Sequence, residues 1–441
     1  MDDMKDHITI DSTAKNTEEQ LQEQTQYERV LVSVTGKDRP GVLYALLKTA
    51  NDFQVDVLDV QQSTVHRRVT IAVELGIHRN CPKQLSIYRQ LLIVAKEMKL
   101  RLDFQLTNLP EGHYSSSFID VASSNASRRR QYAITVLSRE VITPKFLANL
   151  GTLLIEQGLS MEKIQRLSEK TLQCLEITVS SHGTFDATFL HVFRKKLFSL
   201  GKEYQIDIAI QPENIMRRSK RLVVMDMDST LIQQEVIDEL ARYANVFEKV
   251  KEITYRAMNG EMDFKESLRQ RVSCLKGTPI SVFQKVISSL NYTEGARTLC
   301  STLKRLGYKL AVISGGFDFV TQYVRRELSL DYDFANQLEI DSNGCLTGRT
   351  VGPIVDAQRK ADLLQTLAQM EHITCDQVIA VGDGANDLPM LSKAGLGIAF
   401  NAKPAVQEAA NFRINIRKLD AILYFLGIPE KEHLSLSHNT T

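Results

Sequence analysis

Leu222-Val223-Val224-Met225-Asp226-Met227-Asp228-Ser229-Thr230-Leu231 is the stretch on which the fold turns. An unbroken apolar run ends in two aspartates spaced i, i+2, followed by a hydroxyl pair and then a helical pattern. Such a run predicts a parallel strand covered on both faces, and sheets of that kind bind ligands beyond the carboxyl ends of their strands. Residues i and i+2 of a strand share a face. The spacing therefore predicts one carboxylate that attacks a substrate beside another that handles protons. Taken alone, the pair reads more readily as a turn or a helix cap, and its weight comes from the segments downstream.

From Lys220 onward, short apolar runs alternate with helical patterns. Leu222–Met225, Tyr308–Ser314 and Gln377–Val381 read as strands of a doubly wound α/β sheet. A mostly helical insertion from about Gln234 to Tyr292 follows the first strand. The later strands also end in polar groups. Val312-Ile313-Ser314-Gly315-Gly316 offers a hydroxyl and glycine N–H groups that can approach an anion closely. Arg359-Lys360 opens a helix, Ala361–Met370, after the Gly-rich segment Ser342–Gly352, and places a cation where it could neutralise phosphate. Val381-Gly382-Asp383-Gly384-Ala385-Asn386-Asp387 presents acids and an amide suited to a hard cation such as Mg²⁺.

Order, strand context and spacing agree at these four places, and together they resemble the four motifs of the haloacid dehalogenase superfamily of Mg²⁺-dependent phosphatases over roughly Arg221–Gly427. Asp226-Met227-Asp228-Ser229-Thr230 with Glu235, and the segment Gly260–Val272, resemble the phosphoserine phosphatases within it. The resemblance implies a Rossmann-like α/β core with a helical cap inserted after the first strand. It implies Asp226 as nucleophile forming an aspartyl-phosphate, Asp228 as general acid and base, and one Mg²⁺ per site held by Asp226, Asp228 (through its carbonyl) and Asp383. Asp387 and Thr230 would support that shell. Ser314, Gly315, Lys360 and Asn386 would bind the phosphoryl group. Glu235 and Arg271 would grip the ammonium and carboxylate of O-phospho-L-serine, with Met258 and Phe264 as apolar cap walls. The implied reaction is the last step of L-serine biosynthesis.

The N-terminal part shows the order strand, helix, strand, strand, helix, strand twice, a duplicated βαββαβ unit. These two repeats resemble ACT domains, small ferredoxin-like modules that bind amino acids. In the first, Asp38, Arg39, Pro40 and Gly41 occupy the strand-to-helix turn and form the candidate ligand turn. The second has Leu137-Ser138-Arg139-Glu140-Val141-Ile142-Thr143-Pro144 there and lacks the glycines. The resemblance implies an effector, L-serine or another amino acid, and a homodimer. The expected organisation is a disordered segment 1–26, ACT domain 27–110, a polar connector, ACT-like domain 131–212, phosphatase domain 218–428 with its cap at about 234–292, and a flexible tail 429–441.

Composition narrows the class further. The 441 residues carry a formal net charge of +1, which argues against bulk attraction to nucleic acid or anionic membranes. The basic runs Arg128–Arg130 and Arg217–Arg221 read as solvated linkers. There is no apolar run long enough for a spanning helix. Asp2, Asp3, Lys5 and Asp6 do not resemble a secretion signal. Six scattered cysteines with no Cys-x-x-Cys pair fit reduced thiols in the cytoplasm. Two alternatives stay open at this point: a phosphatase for another small phosphomonoester, and an amino-acid-responsive regulatory protein with a vestigial phosphatase domain.

Overall fold

Leu222–Met225 is the central strand, β9, of a seven-stranded sheet, and all four of its side chains are fully buried. The computed structural model describes residues 27–39, 41–65, 67–78, 84–106, 130–181, 187–258 and 261–433. The segment 1–26, most of the connector and residues 434–441 lie outside them. The chain divides into two compact units, Met1–Ser127 and Arg128–Thr441.

In the first unit, β1 (Tyr27–Lys37), β2 (Asp56–Val65), β3 (Arg68–His78) and β4 (Arg101–Leu106) form an antiparallel sheet in the order β2-β3-β1-β4. Val30, Val32 and Val34 of β1 and Ile71 and Val73 of β3 alternate inward. They pack on Val42 and Leu46 of α1 (Val42–Asp52) and on Ile87 and Leu91 of α2 (Gln84–Glu97). Gly36 and Lys37 belong to β1, where they pair with Val69 and Arg68. The edge strand β2 is exposed along its whole length, including Val57, Leu58, Val60 and Val65.

The second unit begins with the second repeat. It comprises β5 (Gln131–Ser138), α3 (Pro144–Glu156), β6 (Leu159–Arg166), β7 (Cys174–Ser181), α4 (Ala187–Tyr204) and β8 (Ile206–Pro212), in the order β6-β7-β5-β8. Thr143 caps α3 by accepting the Phe146 N–H, with Pro144 in the first turn. Helical residues such as Phe146, Leu150 and Phe193 cover one side of this sheet. Leu137, Leu167, Cys174 and Ala209 join the apolar core of the seven-stranded sheet.

A helical turn, Ile215–Arg218, then leads to β9. The insertion holds α5 (Val236–Tyr243), α6 (Phe247–Met258), α7 (Phe264–Cys274) and α8 (Ser281–Ser289). The wound core adds α9 (Ala296–Arg305), β10 (Lys309–Phe317), α10 (Asp318–Glu327), β11 (Tyr332–Ile340), β12 (Leu346–Val351), α11 (Ala357–Met370), β13 (Val378–Gly382), α12 (Leu388–Lys393), β14 (Leu396–Phe400), α13 (Pro404–Ala409) and β15 (Phe412–Ile414). The strand order is β12-β11-β10-β9-β13-β14-β15, parallel except for the β11–β12 hairpin. No helix among the described residues is long and apolar enough to cross a membrane.

Two expectations change here. The run Arg217–Arg221 is not a solvated linker throughout. Arg217 is buried between Glu176 and Glu213, and the buried Lys220 ammonium donates to the Asp376 carbonyl. Arg217 ties the connecting turn to the second repeat, and Lys220 ties its far end to the core. Residues 430–433 are not part of a flexible tail, because the Glu430 N–H bonds the Leu167 carbonyl at 2.8 Å and His433 is 4% exposed.

The same surface uses the turn between β5 and α3. The Arg139 guanidinium donates to the Asn415 carbonyl. On β8, Asp207 accepts the Asn415 N–H at 2.6 Å and its side-chain amide at 2.8 Å. The Gln211 amide donates to the Phe425 carbonyl at 3.0 Å. In the second repeat, the position of the ligand turn is therefore a docking contact within the chain.

Candidate active site

β9 ends at Met225, one residue before the first aspartate. The two acids therefore do not share a strand face as the spacing predicts; they stand in the tight loop that follows. Ser229 adopts φ 58° there, and the Ile232 N–H closes the loop on the Met227 carbonyl at 3.0 Å. A non-glycine residue held in the left-handed region signals a backbone that its surroundings fix. This loop carries Asp226 down to the end of the sheet while Met227 fills the core beneath it, fully buried.

Lys360, in the first turn of α11, is fully buried. Its ammonium lies 2.8 Å from Asp226 Oδ1 and 2.7 Å from Asp387 Oδ1. Burial alone would drive its proton off, but the two carboxylates outweigh that and hold its pKa above the usual lysine value. Asp226 Oδ1 also accepts the Met227 N–H at 2.8 Å, and Asp387 Oδ2 accepts the Gly384 N–H at 3.0 Å. Thr230 Oγ1 donates to Asp383 Oδ1 at 3.3 Å. The carboxylates of Asp226, Asp383 and Asp387 converge, each offering an oxygen within 4.8 Å of the others. The Asp228 side chain stands outside that trio.

Charge is out of balance in this pocket. Burial, then the neighbouring Asp387, raises the Asp226 pKa well above the usual carboxylate value despite Lys360. Burial followed by Asp387 and Glu235 lifts Asp383 to about 6. Asp228 is also raised strongly, first by burial and then by Glu235 and Asp226. Asp228 Oδ1 is buried without a hydrogen-bond partner. An orphaned acceptor of this kind is costly unless another molecule completes it.

The end of β10 forms the neighbouring wall. Ser314 is fully buried, and its Oγ accepts the Gly316 N–H at 2.8 Å. A Cβ on Gly316 would stand 2.7 Å from Asp228 Oδ2, and one on Gly315 would stand 3.1 Å from the Phe264 ring. Glycine at 316 permits this close approach to Asp228, and at 315 a side chain would crowd the Phe264 ring. Sequence reasoning missed Asn336 of β11. Its amide donates to the Gly315 and Gly316 carbonyls at 2.8 and 3.3 Å and accepts the Val355 N–H at 2.8 Å, which fixes the glycine turn from behind. The only trace of it in the sequence is a polar residue in a strand-like run.

The insertion covers this wall. Glu235 precedes α5 and accepts from Ser229 Oγ at 2.8 Å. The Glu235 side chain opens to solvent, yet enough protein surrounds its carboxyl to raise its pKa, with Ser229 and Arg271 opposing. Arg271 projects from α7, half-buried, and its Nε donates to the Ser267 carbonyl at 3.4 Å. Burial lowers its pKa, while Glu235, Asp238 and Asp228 oppose the shift. Phe264 opens α7 over Gly315. Asn386 is half-buried in the turn after β13, beside Gly384. Met258 ends α6, and its side chain lies outside the described residues. In the first unit, Asp38 and Arg39 are exposed, the Asp38 N–H bonds the Arg67 carbonyl at 2.8 Å, and Gly41 has φ 91°. Pro40 lies outside the described residues.

A family model described as haloacid dehalogenase-like hydrolase matches residues 220–395, and an ACT domain model matches residues 28–105. The chain is 38% identical over 403 residues to a phosphoserine phosphatase of Streptomyces coelicolor, covering 91% of this chain and 93% of that one. It is also 38% identical to phosphoserine phosphatase SerB2 of Mycobacterium tuberculosis, covering 91% and 94%. Among solved structures, a probable phosphoserine phosphatase from Vibrio cholerae aligns with a TM-score of 0.52 and 33% identity, covering 71% of this chain and 90% of that one.

Proposed function

The chain belongs to the phosphoserine phosphatases, and we propose that it hydrolyses O-phospho-L-serine to L-serine and inorganic phosphate through an aspartyl-phosphate. The observation that carries this reading is the fully buried Lys360 shared by Asp226 and Asp387, with Asp383 converging on them beneath the Glu235 and Arg271 side chains.

Lys360 and the Met227 N–H both hold Oδ1 of Asp226, which leaves Oδ2 to attack phosphorus. As the new P–O bond forms and the bond to the serine oxygen breaks, Asp228 gives its proton to that oxygen. The raised pKa of Asp228 suits it to start as the acid, and its Oδ1, buried without a partner, is the oxygen free to donate that proton to the leaving group. In the second half, Asp228 takes a proton from water as the water oxygen attacks phosphorus. Phosphate leaves and Asp226 is restored. Ser314, the Gly315 N–H, Lys360 and Asn386 bind phosphoryl oxygens. Glu235 takes the substrate ammonium and Arg271 its carboxylate, in a charge-assisted grip.

The acid excess fits one divalent cation. Three carboxylates converge where only one buried lysine, paired with two of them, answers their charge, and hard oxygen donors are what Mg²⁺ selects. Asp226, Asp383 and the Asp228 carbonyl would hold it, with Asp387 tied to Lys360 behind them. Bound there, Mg²⁺ supplies positive charge that offsets the phosphoryl oxygens and the attacking carboxylate.

Phosphate release from L-phosphoserine and a panel of other phosphomonoesters, with Mg²⁺ and with EDTA, tests this reading. Selective, Mg²⁺-dependent release of phosphate from phosphoserine is expected. Arg271→Ala is expected to raise KM for phosphoserine about 100-fold, as for one lost charge-assisted contact, and to change turnover of p-nitrophenyl phosphate little. Equal losses on both substrates would remove Arg271 from the specificity pocket.

The same proposal gives the ACT region a sensing role in a reducing cytoplasm, which the free thiols of the described cysteines support. L-Serine is expected to slow the full-length enzyme without competing with phosphoserine, and Asp38→Ala to abolish that effect while sparing the basal rate. Purely competitive inhibition that Asp38→Ala leaves unchanged would remove the sensor. The exposed, partly apolar edge of β2 supports pairing between copies, because bare edges recruit strands. Sedimentation equilibrium should show a dimer, and a monomer would exclude the pairing.

A further inference from the structure

The cap helix α7 is held very differently at its two ends. Beyond its C-terminus, backbone bonds join it to the β11–β12 hairpin. The Gly277 N–H reaches the Leu346 carbonyl at 2.8 Å, the Leu346 N–H reaches the Thr278 carbonyl at 2.9 Å, and the Ile280 N–H reaches the Gly344 carbonyl at 3.0 Å. At its N-terminus, Phe264 rests on Gly315 and Lys265 pairs with Asp356 at 2.8 Å.

Asp356 has two tasks. Its Oδ1 accepts the Arg359 N–H at 2.8 Å and so caps α11, the helix that carries Lys360. Its Oδ2 takes the Lys265 ammonium. The Lys360 N–H also bonds the Asp356 carbonyl at 2.9 Å, so the residue that receives the cap's cation begins the turn that places the buried lysine. Lys265 adjoins Phe264, and the Phe264 ring stands over the glycine of the phosphoryl wall, in the space a Gly315 side chain would enter.

We propose that Lys265 and Asp356 form a charge latch that holds the N-terminal end of α7 closed and sets Phe264 over Gly315. They are positioning residues, since neither touches the reacting atoms. The inference rests on the phosphoserine reading for its kinetic effect. The pair stays half open to water, 50% exposed at Lys265 and 21% at Asp356. That places its strength in the range of surface pairs and makes it sensitive to salt. A latch of this strength suits a lid that must also release product.

Lys265→Met, Asp356→Asn and the double variant test it in the full-length enzyme. Asparagine caps a helix about as well as aspartate, so Asp356→Asn leaves α11 capped and removes only the charge. At low salt each single change is expected to lower kcat/KM for phosphoserine about three- to fivefold, and the double variant no further. Raising the salt should bring wild type towards the variants while the variants stay flat. Amide exchange supplies a reading that needs no substrate: the first turn of α7 should exchange several-fold faster in each variant, while Gly277 and Ile280 keep their protection. Multiplicative kinetic losses, the same salt response in all four proteins, or unchanged exchange at the first turn would each overturn the latch. A wild type inactive on phosphoserine, with exchange accelerated in the variants, would overturn the substrate reading and uphold the latch.

Discussion

Asp226→Asn is expected to lower phosphoserine turnover by about 10⁴-fold or more while leaving the fold intact, in the range seen when a nucleophile is removed from a triad. The amide is nearly isosteric with the carboxylate. Its oxygen still accepts from the Lys360 ammonium and the Met227 N–H, which bond Oδ1 at 2.8 Å in each case. What disappears is the second anionic oxygen, and with it the attack on phosphorus. Removing one negative charge from a pocket that holds an excess of them should leave the melting temperature unchanged or raise it. Rapid quench with phosphoserine labelled at phosphorus should trap a hydroxylamine-sensitive phosphoenzyme in the wild type and none in the variant. Substantial turnover in Asp226→Asn, or label retained on it, would show that another group attacks.

Lys360→Met should damage stability and chemistry together. Methionine fills the volume but leaves Asp226 and Asp387 without the cation they share. Breaking a buried pair from one side costs about 3–5 kcal/mol. Chemical denaturation without Mg²⁺ should show a loss of that size. Phosphate release should fall by about 10³-fold, since the charge lost stabilises the phosphoryl oxygens as well. Saturating Mg²⁺ should restore part of the stability by binding the bared carboxylates, but little of the rate. A variant as stable as wild type in EDTA would mean that the site's acids are neutral when lysine is absent. It would place Lys360 outside the charge balance drawn here.

The chemistry was legible in the sequence because it sits where strands end, and four polar segments in the right order mark four strand ends. The details that escaped are of another kind. Asp226 and Asp228 were read as a strand face, but the backbone turns at Ser229, and no periodicity announces a single left-handed residue. The Gly-rich segment Ser342–Gly352 gives no strand signal, yet it supplies β12, because an edge strand with only partly buried side chains has little apolar pattern. Asn336 is silent for the same reason: a buried amide that serves backbone carbonyls looks like any polar strand residue. Arg217 and Lys220 look like linker cations because burial of a charge depends on partners about 40 and 156 positions away.

The contact through Arg139, Asp207 and Gln211 bears on how this gene can be cut. A deletion that begins the chain at Lys220 would keep every catalytic side chain. It would also bare the apolar patch that meets Leu137, Leu167, Cys174 and Ala209, and it would leave the Asn415 amides without their carboxylate. The second repeat has become part of the catalytic body's chassis, and a truncated catalyst cut from this chain is expected to need a start near residue 130.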